Sequence, residues 1–165
     1  MNENWEIVIG TISGTISGFL IATFADIVKG WLQRRIEHNR LRDMLYQEVL
    51  NNHKIVQSLF PKLSHSDLIS IIRFRLRLEG YEFVKANHIA LFYELREASC
   101  FNQLYSICKQ LQSVSERTPK VKIEKLTGSL FSAFVHFIET GALDQNRFDK
   151  LDKRTETKTV YKWTG

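Results

Sequence analysis

Arginine and histidine side chains close together on one helix are the first candidates for chemistry in this sequence. Such a pair can cleave RNA, because the guanidinium stabilises charge on the phosphate and the imidazole transfers protons. The closest approach is that of Arg34 and Arg35 to His38, with three and two residues between them. Arg34 and His38 would share one face of a helix. These residues are the basis of one functional hypothesis, that of a membrane-tethered ribonuclease.

The two cysteines offer weaker chemistry. Cys100 and Cys108 lie eight residues apart, which is about 12 Å along a helix and too far for a disulfide. No histidine accompanies them at the spacing of a metal site, and the sequence has neither a phosphate-binding P-loop motif nor a nucleophile elbow. We therefore expect a protein that is not an enzyme, that holds no metal or cofactor, and whose cysteines lie in the core.

A cluster of cations follows an N-terminal stretch that has no basic residues. The 165 residues include 23 Lys and Arg against 18 Asp and Glu, a net charge of +5, yet no Lys or Arg precedes Lys29. The members of this basic collar are Lys29, Arg34, Arg35, His38, Arg40 and Arg42. Positive charge directly after an apolar span indicates the cytoplasmic side of a membrane. The collar could also bind anionic lipid headgroups or RNA, since both present phosphates.

Residues 7–25 contain no charged side chain. As a helix rising ~1.5 Å per residue, this stretch covers about 28 Å, close to the hydrocarbon thickness of a bilayer. A cleaved signal peptide would carry Lys or Arg before its apolar core, whereas this chain carries Glu3 and Glu6. A buried or interfacial amphipathic helix would show a charged stripe. The stretch therefore predicts a single membrane-spanning helix whose C-terminal side is cytoplasmic.

Small residues are the most specific feature of this span. Gly10, Gly14 and Gly18 recur every four residues, so they share a face on which helices can approach closely. Hydroxyl side chains flank that face on both sides: Thr11, Ser13, Thr15 and Ser17. Ile12 lies on the opposite side of the helix. The pattern predicts self-association, either as a simple dimer or as a ring in which the four hydroxyl residues line a pore.

The remainder of the chain predicts further helices. Their ranges are 29–60, 68–78, 88–114 and 122–140. The first has an apolar stripe interrupted by the amide of Asn52. The second should end near Gly80; residues 73–78 also alternate like a strand, but no partner strand is evident. Gly141 stands in the position that glycine favours after a helix.

These elements predict an all-α fold with three regions. Residues 1–28 would form the N-terminal transmembrane helix, 29–141 a cytoplasmic antiparallel helical bundle, and 142–165 a polar C-terminal tail.

The order of these elements resembles the small accessory membrane protein encoded beside type VI-B CRISPR effectors. The residues that carry the resemblance are the opening of the span, Trp5-Glu-Ile-Val-Ile-Gly10, and the segment Tyr46-Gln-Glu-Val-Leu-Asn-Asn52. The resemblance implies a divergent HEPN-like fold, a place in the bacterial inner membrane, and a functional link to an RNA-guided, RNA-cutting effector in defence against phage. HEPN ribonucleases place four to six residues between arginine and histidine, and no such pair occurs here. The resemblance therefore brings no ribonuclease residues to this chain.

Together, the span, the collar and the resemblance predict a homo-oligomeric, pore-forming membrane effector with its N-terminus in the periplasm. Its expected partners are copies of itself, membrane lipids, the RNA-guided effector and, as a further option, RNA. A ribonuclease, or an anchor that binds RNA or protein, are the alternatives.

Overall fold

A computed structural model describes the backbone of residues 3–59, 69–70, 72–73 and 75–161. Side chains are described for residues 18–58, 69–70, 72–73 and 75–153. Every regular element within these ranges is an α-helix, which confirms the predicted all-α class. The bounds are α1 Glu3–Leu59, α2 Glu79–Asn87, α3 Ile89–Glu94, α4 Ala98–Gln112, α5 Lys120–Glu139 and α6 Gln145–Tyr161.

The chain divides into two compact units, Met1–Arg40 and Leu41–Gly165. The division falls later than the boundary predicted after residue 28. Within the first unit, side chains are described for residues 18–40, and we call these residues the exposed segment. The second unit is the helical body.

Proline and glycine explain where several helices begin and end. Proline disfavours a helical conformation in the residue before it, and α1 ends at Leu59, two residues before Pro61. Pro119 directly precedes α5. Gly141 follows α5 with φ +68°, a conformation that glycine adopts without strain, as predicted.

The core of the helical body begins where the exposed segment ends. Leu41, Leu45 and Val49 of α1 are buried at steps of four residues, and Tyr46 beside Leu45 is buried with them. Contributions from later elements include Val84, Phe92, Phe101, Leu104, Leu111, Ile123, Leu130, Phe134, Leu143 and Phe148. The body thus buries one stripe of α1 against the helices that follow it.

The second predicted helix differs from the structure at its end. Ile69, Ser70, Ile72, Arg73 and Arg75 are helical, while Leu68, Ile71 and Phe74 lie outside the described residues. The chain then leaves the helix at residues 76–78, and Gly80 lies in the first turn of α2 instead of ending a helix.

Asn52 explains why the chain departs from the helix there. Its side-chain Oδ1 accepts the N–H of Arg77 at 2.9 Å, and its Nδ2 donates to the Arg77 carbonyl at 2.7 Å. One amide thereby satisfies both backbone groups of a non-helical residue. The amide seen in the apolar stripe of α1 is therefore a partner for residues 76–78.

The prediction of a single helix over residues 88–114 is wrong at its centre. Helix α3 ends at Glu94, Leu95 is extended with ψ 128°, and α4 begins at Ala98. The break places the carboxylate of Glu97 in the interior, where it is 2% exposed.

The region assigned to a polar tail contains α6. Phe148 and Leu151 of this helix are buried, at 3% and 7% exposure, and Leu143 before it is 1% exposed. Residues 145–151 therefore belong to the helical body. The apolar side chains nearest the C-terminus, Val160, Tyr161 and Trp163, lie outside the residues whose side chains are described.

Candidate functional site

The exposed segment carries a large surface of exposed apolar side chains. Residues 18–25 are uncharged, and every residue from 18 to 37 is exposed. The bulky members of this surface, 44–71% exposed, are Phe19, Leu20, Ile21, Phe24, Ile27, Val28, Trp31, Leu32 and Ile36. Contiguous exposed apolar surface on this scale marks a site for lipid or for another protein.

Polar groups within the exposed segment are arranged to suit that surface. The Thr23 hydroxyl donates to the backbone carbonyl of Phe19 at 2.8 Å, so its polarity is satisfied within the helix. The Arg35 guanidinium lies 5.3 Å from the centre of the Trp31 ring. Tryptophan and arginine side by side are typical of the boundary between hydrocarbon and water.

The predicted glycine face is described at one of its three positions. Gly18 is exposed, and a Cβ atom added there would meet nothing within 4 Å. Gly10 and Gly14 lie in α1, outside the residues whose side chains are described. The same holds for the four predicted pore-lining residues: Thr11, Ser13, Thr15 and Ser17.

Five of the six predicted collar residues lie in the exposed segment. Lys29, Arg34, Arg35 and Arg40 are exposed, and His38 is half-buried. The sixth, Arg42, lies in the helical body. Its guanidinium pairs with the carboxylate of Glu97, which has a side chain only 3% exposed. A buried carboxylate therefore binds one of the predicted collar cations.

Tyr46 extends this ion pair into a buried network. Its hydroxyl donates to Glu97 Oε1 at 3.1 Å and accepts the N–H of Asp144 at 2.8 Å. Burial raises the pKa of Tyr46 to about 12. Arg147 adds a further pair with Asp43 at 2.5 Å. The network connects α1, the break before α4 and the start of α6, so we assign it a structural role.

A second buried group centres on Glu48. Its Oε2 accepts the N–H of Tyr81 at 3.0 Å, which satisfies a backbone donor at the start of α2. Burial raises the pKa of Glu48, while Tyr105 and the Tyr81 N–H act in the opposite direction. Burial also raises the pKa of Cys108 to about 12, and the nearby Glu48 carboxylate adds to that shift.

Both cysteines are free and buried in the helical body, as predicted. A thiol with a raised pKa is a poor nucleophile, because little of it is thiolate near neutral pH. Cys108 is therefore better explained by packing than by catalysis.

His53 is stacked between aromatic rings of α5. Its ring centroid lies 4.0 Å from that of Phe134 and 5.3 Å from that of Phe131, nearly parallel to both. The Nδ1 atom is buried without a hydrogen-bond partner among the described residues. Burial lowers the pKa of His53, so the neutral form is the one that fits this position.

Sequence reasoning singled out Asn52 and both cysteines but missed the pairing of Glu97. A carboxylate within a stretch predicted to be one buried helix is the signal that could have revealed it, since such a group needs a cation. Among the described residues, no group of three or more His, Cys, Asp or Glu side chains could hold a metal ion.

The described residues include no helix that is both long enough and apolar enough to cross a membrane. Of the predicted span, residues 7–17 lie outside the residues whose side chains are described. No family model, curated protein or solved structure matches this chain.

Proposed function

We propose that this protein is a membrane-embedded homo-oligomer in which several copies of α1 surround an aqueous path and permeabilise the bacterial inner membrane. The helical body would lie in the cytoplasm, hold the subunits in a ring and receive the activating signal. The proposal is that of a pore and not of an enzyme.

The observation that supports this function is the apolar surface between Phe19 and Ile36. Each fully exposed large apolar side chain forgoes about 1.5–3 kcal/mol of burial free energy. Nine large apolar side chains of α1 are 44–71% exposed and so forgo about half or more of that free energy. Lipid and sister helices are the surroundings that recover this free energy, and the uncharged residues 7–25 directly precede and overlap the surface.

Self-association is supported by the glycines at positions 10, 14 and 18. A face of small residues gains little from lipid tails but permits close contact between helix backbones. The open space around Gly18 is consistent with a neighbour from another copy. A ring of single-span subunits would also give the hydroxyl residues of the span access to water.

The experiment is a comparison of Gly14→Leu with Ile12→Leu in the full-length protein. Both substitutions change the size or shape of a side chain within the same span, but only Gly14 lies on the face formed by the three glycines. We expect wild type and Ile12→Leu to form one oligomer in detergent and to release dye from vesicles, and Gly14→Leu to lose both properties. A wild-type protein that is monomeric, or a Gly14→Leu variant that assembles and leaks like wild type, would refute the proposal.

The link to RNA-guided defence comes from the resemblance to type VI-B accessory proteins. We propose that the pore supports such an effector against phage, with the basic residues of the exposed segment available for contact with RNA or lipid. Phage challenge of cells carrying the effector, with and without this protein, tests that link. Equal protection in both strains would separate the pore from CRISPR defence.

The same purified protein distinguishes the enzymatic alternative. Labelled RNA is incubated with wild type and with His38→Ala. RNA cleavage that disappears in the variant would favour a membrane-tethered ribonuclease using Arg34 and His38.

A further inference from the structure

One narrow face of α1 is free of large apolar side chains over more than twenty residues. A helix turns by about 100° per residue, so residues eleven apart lie within about 20° of one another. The residues on this face, which we call the polar stripe, are Thr11, Thr15, Ala22, Asp26, Lys29 and Gln33. They occupy an arc of about 60°, and none of the nine exposed bulky side chains falls inside it.

Four of the six stripe residues have described side chains, and all four are exposed: Ala22, Asp26, Lys29 and Gln33. Asp26 and Lys29 are three residues apart, which places their Cα atoms about 4.5 Å apart along the helix axis. In a ring of subunits they would form one acidic and one basic ring.

Charged and bulky apolar residues share the same level of the helix. The bulky apolar residues at this level are Ile27, Val28, Trp31, Leu32 and Ile36. They are interspersed along the chain with Asp26, Lys29 and Gln33. A charge facing hydrocarbon costs about 2.5–3.5 kcal/mol at the centre of a membrane helix. At this level one side of α1 therefore suits an apolar neighbour and the other suits water.

We propose that the polar stripe lines the aqueous path of the pore, and that Asp26 and Lys29, at the cytoplasmic end of the stripe, determine which ions pass. This inference rests on the proposed pore function and names its selectivity residues. Fixed charges around a narrow water-filled path attract ions of the opposite sign and exclude ions of the same sign. Asp26 would favour cations, and Lys29 would favour anions.

The stripe also divides the four hydroxyl residues predicted to line the pore. Two residues turn a helix by about 200°, so Ser13 and Ser17 fall on the other side of α1 from Thr11 and Thr15. Only Thr11 and Thr15 share the register of Asp26, Lys29 and Gln33. Ser13 and Ser17 are instead assigned to contacts with a neighbouring helix.

The first test measures reversal potentials of the full-length protein in planar bilayers across a gradient of potassium chloride. Asp26→Asn should raise the anion-to-cation permeability ratio about threefold or more, and Lys29→Gln should lower it by a similar factor. Glu116→Gln is the control, because it removes an exposed charge of the helical body and leaves α1 unchanged. Its ratio should equal that of wild type.

A second measurement applies if Asp26→Asn or Lys29→Gln fails to assemble. Gln33→Cys and Leu32→Cys differ by one position at the same level, and the native Cys100 and Cys108 are buried. A charged, membrane-impermeant thiol reagent should reduce the conductance of Gln33→Cys and leave Leu32→Cys and wild type unchanged. This pair requires no change of charge in the protein.

The outcomes separate the two proposals. A wild-type protein without conductance would overturn the pore function, and the stripe with it. A conducting wild type whose permeability ratio is the same in Asp26→Asn and Lys29→Gln would overturn the stripe alone. Equal block of Gln33→Cys and Leu32→Cys would overturn it as well.

Discussion

The two halves of helix α1 differ in burial, and the difference is the opposite of what their composition would predict. Residues 18–37 contain nine bulky apolar side chains, and every residue there is exposed. From Leu41 onward α1 is richer in polar residues, yet Leu45, Tyr46 and Asn52 are almost completely buried. Apolar composition alone therefore does not locate the core of this protein. The core forms where the later helices supply neighbours, as they do for α1 from Leu41 onward.

The largest expected effect tests this contrast with two phenylalanines. Phe101 is 0% exposed and packs edge-on against Tyr46, with ring centroids 5.5 Å apart. Phe24 is 69% exposed. Phe101→Ala should lower the free energy of unfolding of the helical body by about 3–5 kcal/mol, whereas Phe24→Ala should change it by less than about 0.5 kcal/mol. Denaturant unfolding of detergent-solubilised protein, followed by circular dichroism, measures both.

Equal losses from the two substitutions would contradict the contrast, because they would mean that the exposed segment is packed as tightly as the body.

A smaller effect is expected for two arginines seven residues apart. Arg42→Met leaves the buried Glu97 carboxylate without its cation, which should cost about 3 kcal/mol of stability. Arg35→Met removes an exposed guanidinium and should cost less than about 0.5 kcal/mol. The unfolding measurement is the same. Adding Glu97→Gln to Arg42→Met should recover part of the loss, and a double variant no more stable than Arg42→Met would argue against the ion pair as the cause.

The smallest effect concerns the pH dependence of the helical body. Burial lowers the pKa of His53 from 6.5 in the folded state, so the unfolded chain binds the proton more readily. The contribution of His53 to stability is therefore complete above about pH 6.5 and is lost as the pH falls toward its folded pKa. Glu48 has a raised pKa and acts in the opposite direction, losing its contribution as the pH rises from 4.5 through its folded pKa.

One substitution separates the pH effect of His53 from that of Glu48. His53→Phe keeps an aromatic ring against Phe134 but cannot titrate. Its stability should rise relative to wild type as the pH is lowered from 7.5 to 5, with thermal unfolding as the measurement. Parallel curves for wild type and His53→Phe would remove His53 from the explanation.

The sequence was sufficient for features that depend on local pattern. Helical periodicity and the near absence of proline predict the helices, and Gly141 predicts the end of α5, because backbone propensity acts within a few residues. The uncharged residues 7–25 and the spacing of Gly10, Gly14 and Gly18 can likewise be recognised without coordinates, since the helical repeat alone decides which positions share a face. The polar stripe also follows from this register.

Only the tertiary structure decided which polar groups meet. The sequence groups Arg42 with the collar. Its partner, Glu97, is fifty-five residues away in the chain, and the break between α3 and α4 brings it against Arg42. Asn52 looks like a flaw in an apolar stripe until Arg77 presents its backbone there. These pairings join residues far apart in the chain, so no local pattern contains them. They form because a buried charge or amide must find a partner wherever the packing of the helices supplies one.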